Sequence, residues 1–218
     1  MSGYFITLEG CDGTGKTTQA AQLADWIRKE YGVEVITTFE PGDTKLGREL
    51  RQLIQHGDEM DVRTEALLFA ADRSHHVATV IRPALKRGAV VICDRYTDSS
   101  VAYQGAGRAL APDEVLHISK WATEGLQPDV TLLFDADPNI VAARLAGAGP
   151  ADRIESAGGD FQAKVRRAYR QIADKDASRW VLISADGTIA EVAAAAVKAL
   201  GPRLAAWHGA QTVTQGLR

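Results

Sequence analysis

The glycine-rich segment GCDGTGKT at residues 10–17 constrains the fold more than any other part of this chain. The apolar run YFITL at residues 4–8 precedes it, and an amphipathic helical pattern follows it at once. A strand, a glycine-rich turn and a helix in this order match the pattern G-x-x-x-x-G-K-[ST], whose backbone N–H groups surround phosphate oxygens. The segment therefore predicts a nucleoside triphosphate site at the carboxyl end of the first strand.

Residues 10–17, which we call the phosphate loop, also contain the side chains that such a site requires. Lys16 is predicted to reach the β- and γ-phosphates, and the Thr17 hydroxyl is predicted to coordinate Mg²⁺. The helix N-terminus adds partial positive charge. The residues expected to contact the triphosphate are Gly10, Asp12, Gly13, Thr14, Gly15, Lys16, Thr17 and Thr18.

Four further short apolar runs occur along the chain, and helical patterns separate them. They lie at residues 33–38, 89–93, 130–134 and 180–184. Several are rich in β-branched residues and apolar at odd and even positions alike, which is typical of strands buried on both faces of a parallel sheet. The alternation predicts an α/β fold, with a doubly wound five-stranded parallel sheet flanked by helices.

The length of 218 residues fits a single domain. We expect residues 1–205 to form it, with a lid at about residues 146–160, where small and charged residues separate two helical patterns. Residues 206–218 have a weak pattern, so we expect a loosely ordered tail there.

Composition limits the function classes. The net charge of −3 gives no basic surplus for nucleic acid, and no apolar run is long enough to cross a membrane. The N-terminal residues lack the features of a secretion signal. The cysteines, Cys11 and Cys93, are expected to be free thiols, and we predict a cytoplasmic protein.

Asp94 and Arg95 directly follow the third apolar run. The carboxyl ends of the strands in an open α/β sheet face the ligand crevice, so this pair should border the triphosphate. Asp94 is a candidate ligand of Mg²⁺, and Arg95 is a candidate to hold an anionic acceptor in bidentate fashion. On this pattern alone, an ordinary ion pair at the strand end remains an alternative.

Phe69 and Arg73 lie four residues apart in a helical pattern, so they project from the same helix face. The ring could stack on a base whose edge the guanidinium binds. An amphipathic helix with Phe69 in the core and Arg73 in solvent is the commoner arrangement for such a pair. Arg153, in the predicted lid, is a candidate to neutralise charge on a transferring phosphoryl group, with ordinary surface charge as the alternative.

Taken together, these motifs resemble those of thymidylate kinases, from residue 4 to about residue 200. The resemblance implies the nucleoside monophosphate kinase version of the P-loop fold. It also implies transfer of the γ-phosphoryl of MgATP to the 5′-phosphate of dTMP, giving dTDP and ADP for dTTP synthesis, and a homodimer. The matching segments, in family order after the phosphate loop, are FEPGDT at 39–44, LLFAADR at 67–73, DRYTDSSVAYQG at 94–105, PDVTLLFD at 128–135 and DRIE at 152–155.

The resemblance assigns roles at the acceptor. Asp12 would accept a hydrogen bond from the 3′-hydroxyl of dTMP, Phe69 would stack on thymine and Arg73 would contact its 4-carbonyl. Arg95 would hold the monophosphate. The other residues placed around dTMP are Glu40 and Pro41 beside the phosphate, Ser100 and Gln104 at the base, and Tyr103 at the 2′ position of the sugar.

The same resemblance gives the catalytic and metal assignments. Arg153 would reach the phosphates from the lid, and Gly13 fits the branch of the family that draws this charge from the lid. Thr17 and Asp94 would hold Mg²⁺. The residues assigned to catalysis are Lys16, Asp94, Arg95 and Arg153.

Two positions depart from the family pattern. Phe39 stands where an arginine is expected, and Asp43 stands where a second glycine is common. A carboxylate near a phosphate is unfavourable unless a cation balances it, so the two changes bear on acceptor affinity rather than on the reaction class.

Three alternative functions stay open from the residues. The first is a P-loop kinase that acts on another nucleotide, on a nucleoside or on a small metabolite. The second is a nucleotide-dependent switch, and the third is a non-catalytic relative. A switch GTPase would carry a guanine-reading N-K-x-D motif after a late strand, and the sequence contains none there. A non-catalytic protein is disfavoured by the presence of five residues, which are Lys16, Thr17, Asp94, Arg95 and Arg153.

Overall fold

The computed structural model describes residues 3–108, 110–146, 153–154 and 158–216, with side chains up to residue 211. These residues contain one parallel sheet in the order β2-β3-β1-β4-β5, which confirms the predicted fold class. The strands are β1 (Tyr4–Glu9), β2 (Val35–Phe39), β3 (Val90–Asp94), β4 (Val130–Asp135) and β5 (Trp180–Ser184).

Helices connect the strands and cover both faces of the sheet. Two π-helical segments, Val77–Ile81 and Val101–Gly107, continue the helices before them. The α-helices are α1 (Lys16–Tyr31), α2 (Lys45–His56), α3 (Val62–His76), α4 (Arg82–Lys86), α5 (Thr97–Ser100), α6 (Pro112–Ala122), α7 (Pro138–Leu145), α8 (Gly159–Lys175) and α9 (Ile189–Gly216).

The core lies on both sides of the sheet. On one face, Leu23 of α1 and Leu200 of α9 pack with β-strand residues. On the other face, α8 contributes Val165 to a cluster that includes Leu133, while the segment Val77–Ile81 packs near β3. Because both faces are covered, every residue of β1 is buried. This covering leaves the carboxyl edge of the sheet as the place for a ligand.

The expected loosely ordered tail begins as helix. α9 continues through Gly216, and the ring centre of Trp207 lies 5.7 Å from that of Tyr4, so this part of the segment packs on β1. The weak periodicity of this segment gave no sign of it. The boundaries of the domain and of the tail at 206–218 stay predictions.

Most of the predicted lid at residues 146–160 lies outside the described residues. The structure describes residues 146, 153, 154 and 158–160 of it. No helix in the described part of the chain is long and apolar enough to span a membrane.

Candidate active site

The phosphate loop folds around a backbone carbonyl at the end of β1. Gly10 has a φ of 138°, and a Cβ on it would lie 2.3 Å from the carbonyl oxygen of Phe134, so only glycine fits there. The hydroxyl of Thr14 and the Nζ of Lys16 both donate to the carbonyl oxygen of Cys11, each at 2.9 Å. Burial lowers the pKa of Lys16, with the nearby charge of Arg95 as the second cause. The loop therefore presents a desolvated cation above the start of α1.

A cleft of about 1000 Å³ opens over this loop. Its far end is bordered by Arg144, which donates to the carbonyl oxygens of Ala185 at 2.8 Å and Gly187 at 3.2 Å. Its volume and its position over a helix N-terminus suit a nucleoside triphosphate. The predicted site residues that line it are Asp12, Gly13, Thr14, Gly15, Lys16, Thr17, Thr18, Glu40, Asp94 and Arg95.

Thr17 and Asp94, the residues predicted to hold Mg²⁺, meet inside the cleft. The Thr17 hydroxyl donates to Asp94 Oδ2 at 2.8 Å. The other carboxylate oxygen, Asp94 Oδ1, is buried and has no hydrogen-bond partner within the described residues. A buried carboxylate oxygen without a partner is costly, so this atom fits a ligand position.

Arg95 occupies a left-handed backbone conformation, with a φ of 69°. Its own N–H donates to Leu8 O at 2.9 Å, and the next N–H, of Tyr96, donates to Glu9 Oε1 at 2.9 Å. A non-glycine residue pays strain in this region, and these two bonds hold it there. The conformation carries the guanidinium back over the phosphate loop, where Nη1 donates to Gly10 O at 3.2 Å.

Asp12 and Arg95 form an ion pair at the mouth of the cleft. Arg95 Nη2 donates to Asp12 Oδ1 at 2.5 Å, and the Tyr103 hydroxyl donates to Asp12 Oδ2 at 3.2 Å. Burial alone would raise the pKa of Asp12, but the charges of Arg95 and Lys16 outweigh it and hold the pKa at about 2. Asp12 is thus a carboxylate and a hydrogen-bond acceptor at neutral pH.

A smaller pocket of about 120 Å³ adjoins the cleft. Residues from the β2–α2 turn, α2, α3, α5 and the segment Val101–Gly107 line it. Its walls combine an aromatic ring with several charged and polar groups, as a nucleotide base requires. The predicted acceptor residues that line it are Asp12, Glu40, Pro41, Phe69, Arg73, Arg95, Ser100, Tyr103 and Gln104.

Arg73 is fixed on several sides beneath this pocket. Its Nε donates to Glu40 Oε2 at 2.7 Å, its Nη1 to Ser100 Oγ at 2.9 Å and its Nη2 to Tyr96 O at 3.0 Å. His76 Nδ1 lies 2.8 Å from the other oxygen of Glu40. The alternative of Arg73 in solvent is wrong, because the side chain is almost fully buried.

Arg51 is a residue of this site that the sequence did not reveal. It lines both cavities, its Nη1 donates to Pro41 O at 2.8 Å, and its guanidinium carbon lies 5.8 Å from the ring centre of Phe39. There was little reason in the sequence to single it out, because it lies next to Leu50 in an amphipathic helical pattern, where an arginine is ordinary. A cation from α2 therefore stands beside the position where the family pattern expects an arginine.

Asp43 is the second position that departs from the family pattern, and it has a hydrogen-bond partner of its own. The hydroxyl of Thr38 donates to Asp43 Oδ2 at 2.5 Å, and His76 Nε2 lies 2.5 Å from the same hydroxyl. The carboxylate lines the cleft, so this bond ties it to the end of β2.

Two predicted residues lie apart from both cavities. Gly10 lies under the phosphate loop and borders a separate cavity of about 270 Å³ next to α7 and α8. Arg153 does not line the triphosphate cleft, because its Nη2 lies 2.6 Å from Glu65 Oε2 and its Nε donates to Ile54 O at 3.0 Å. In this arrangement Arg153 faces α2 and α3 rather than the phosphates, contrary to its predicted position.

Comparisons with known proteins decide the family. The family model described as Thymidylate kinase matches residues 8–196. The chain belongs to the thymidylate kinase family. Enzymes of this family use ATP to phosphorylate dTMP to dTDP, and the chain is accordingly an ATP-dependent nucleoside monophosphate kinase.

Individual relatives agree over most of their length. A thymidylate kinase from Leifsonia xyli subsp. xyli is 52% identical over 195 residues, covering 88% of this chain and 91% of the relative. One from Clavibacter sepedonicus is 50% identical over 201 residues, covering 91% and 94%. The crystal structure of thymidylate kinase from Ehrlichia chaffeensis matches with a TM-score of 0.77 at 31% identity, covering 92% of this chain and all of that one.

Proposed function

We propose that the chain transfers the γ-phosphoryl of ATP to the 5′-phosphate of dTMP, with ATP in the large cleft and dTMP in the small pocket. The observation that carries the proposal is that the two cavities share four residues. Asp12, Glu40, Arg51 and Arg95 line both. Two ligands bound on either side would meet at these residues, which is where donor and acceptor phosphates must lie in line.

The base end of the small pocket supports a pyrimidine acceptor. Phe69 provides a ring for stacking, and Arg73 and Gln104 provide polar contacts at the edge of the base. Ser100 lines the same wall, where it accepts from Arg73. Tyr103 donates to Asp12 at 3.2 Å, and we assign it to the 2′ position of the sugar.

The phosphate end supports transfer without a strong base. A phosphomonoester has a second pKa of about 6, so its attacking oxygen is already ionised near neutral pH. The work left to the protein is to position the phosphates and to neutralise their charge, for which Lys16, Arg51 and Arg95 supply cations. Asp12, with its pKa held at about 2, is assigned to the 3′-hydroxyl of dTMP as an acceptor.

We propose Mg²⁺ as the cofactor, held by Thr17 and Asp94. The fit rests on chemistry, since a hydroxyl and a carboxylate are oxygen ligands of the kind Mg²⁺ takes, and Asp94 Oδ1 is a buried oxygen without a described protein partner. When bound, Mg²⁺ would neutralise negative charge on the phosphates of ATP.

For Arg153 we keep the proposed contact with the phosphates, but it requires a different arrangement of this residue. The side chain would first have to leave Glu65 and the Ile54 carbonyl. In the arrangement described, its neighbour Ile154 lines the small pocket, so this part of the chain borders the proposed acceptor.

We further propose a homodimer in the cytoplasm. Apolar side chains on α2, α3 and α6 are exposed, with Leu53 at 53%, Leu67 at 56% and Trp121 at 80%, and such a surface suits association with a second copy. Both cysteines are free, as a reducing compartment favours. Sedimentation velocity tests the dimer, and a monomer at micromolar concentration would contradict it.

The function is tested by ADP release from MgATP with a panel of acceptors. We expect dTMP to be strongly preferred over UMP, CMP, AMP and thymidine, with dUMP as the nearest competitor because it shares the deoxyribose and the base edge. Preference for another monophosphate would retain the kinase and overturn the thymine pocket. ATP binding without turnover of any acceptor would indicate a non-catalytic relative.

A further inference from the structure

Glu65 is a buried carboxylate that lies behind the small pocket. It is on the first turn of α3 and only 1% exposed, and it is not among the residues that line either proposed ligand cavity. A buried glutamate is costly unless it is paired and hydrogen-bonded. Its contacts therefore show what it does for the site.

Two arginines lie beside Glu65 in the arrangement described. Arg153 Nη2 lies 2.6 Å from Oε2, and Arg108 Nε lies 3.5 Å from Oε1. An ionised carboxylate can only accept hydrogen bonds.

Among the described residues, the other side-chain partner of Glu65 is the amide of Gln104. Gln104 Nε2 donates to Glu65 Oε1 at 3.0 Å, and both side chains are buried. Because the carboxylate only accepts, the amide must turn its NH₂ group towards Glu65. Its other end, the acceptor Oε1, is the end left for a ligand in the small pocket that Gln104 lines.

We infer that Glu65 is a positioning residue that sets the base preference of the pocket by fixing the orientation of the Gln104 amide. An acceptor at Gln104 pairs with the N3–H of thymine or uracil. It opposes cytosine, whose N3 has no hydrogen and is itself an acceptor. This inference rests on the proposed function and assigns the selection among pyrimidines to a residue that does not touch the substrate.

The arrangement also predicts strong selection by Gln104, although its side chain is neutral. A free glutamine amide can rotate by half a turn and offer either end to a base. Rotation here would bring Oε1 against a carboxylate, two acceptors facing each other in a buried site, and would leave Nε2 without its partner. Leaving a buried polar group unsatisfied in this way corresponds to roughly 5- to 150-fold in population.

The test compares kcat/KM for dTMP and dCMP in the wild type and in Glu65→Gln. A glutamine at position 65 can donate as well as accept, so it allows both orientations of Gln104. We expect the ratio of kcat/KM for dTMP to that for dCMP to fall at least tenfold. The KM for dTMP should rise and kcat/KM for dCMP should increase, while the KM for ATP stays unchanged. Glu114→Gln, an exposed glutamate on α6, is the matched control and should keep the wild-type ratio.

A double-mutant cycle separates this role from general damage to the fold. In a Gln104→Ala background the amide is gone, so adding Glu65→Gln should leave the ratio unchanged. A further loss there, or a wild-type ratio in Glu65→Gln, overturns the inference. If Glu65→Gln does not fold, Gln104→Ala decides alone, because a wild-type ratio without the amide contradicts the inference. A wild-type chain that does not phosphorylate dTMP would instead overturn the proposed function.

Discussion

The phosphate loop and the acceptor pocket lie side by side, but they are built in different ways. The loop consists of consecutive residues, and the side chains of Thr14 and Lys16 bond to its own backbone. Its Asp12 pairs with Arg95 in an accessible position, with Arg95 17% and Asp12 27% exposed. The acceptor pocket draws side chains from several elements, and its pair of Arg73 and Glu40 is 2% and 1% exposed. The loop keeps its charges available for a ligand, whereas the pocket must satisfy its charges within the folded protein.

This difference predicts that the largest effect on catalysis comes from the loop. Lys16→Ala should lower kcat by about a thousandfold, because it removes a desolvated cation from the phosphates. Unfolding by urea should change little, since Lys16 Nζ bonds to the carbonyl of its own loop. Steady-state kinetics with dTMP and ATP is the measurement.

The control is Lys29→Ala, an exposed lysine on the same helix, which should behave as wild type. Near-normal turnover in Lys16→Ala would mean that the loop does not hold the reacting phosphates.

The largest effect on stability should come from the acceptor pocket. Glu40→Ala leaves Arg73 buried without its charge partner, and breaking a buried pair in this way costs about 3–5 kcal/mol. Asp12→Asn should cost clearly less, because Arg95 is partly exposed and keeps bonds to Gly10 O and Tyr103. Urea unfolding measures the loss of unfolding free energy in both variants. Equal losses would contradict the difference between the loop and the acceptor pocket.

The smallest expected effect is a change in pH dependence at Glu9, which lies below both regions. Its Oε2 accepts from Ser99 at 2.6 Å and from Tyr169 at 2.9 Å, and both hydroxyls also accept from Arg95. Burial, and next the charge of Asp98, raises the pKa of Glu9 from 4.5 to about 7. The folded state therefore binds this proton more tightly than the unfolded state. Its contribution to stability is complete below about pH 4.5 and is lost as the pH rises through 7.

Glu9→Gln removes this titration. The free energy of unfolding of the variant, compared with wild type by urea at pH 5 and pH 8, should fall less over that interval. An equal fall in unfolding free energy in the two proteins would show that the Glu9 carboxyl does not titrate between pH 5 and pH 8 in the folded protein.

Much of the site was readable from sequence because its residues are local or follow a strand. The phosphate loop is one segment, and Asp94 and Arg95 follow β3 directly, so their place at the carboxyl edge came from topology. Phe69 and Arg73 were paired by helical spacing, but their burial was not predictable. Spacing alone could not tell whether another element would cover that face of α3.

The sequence by itself determined the five-stranded parallel sheet, the phosphate loop and the thymidylate kinase family. Only the tertiary structure decided which side chains meet around the buried and cleft-lining charges. It brought Arg51 beside Phe39, joined Glu65 to Gln104 across 39 residues of chain, and held Arg153 at Glu65 instead of at the phosphates. The physical reason is that a buried charge needs a partner in space, and no local pattern specifies a partner that another element supplies.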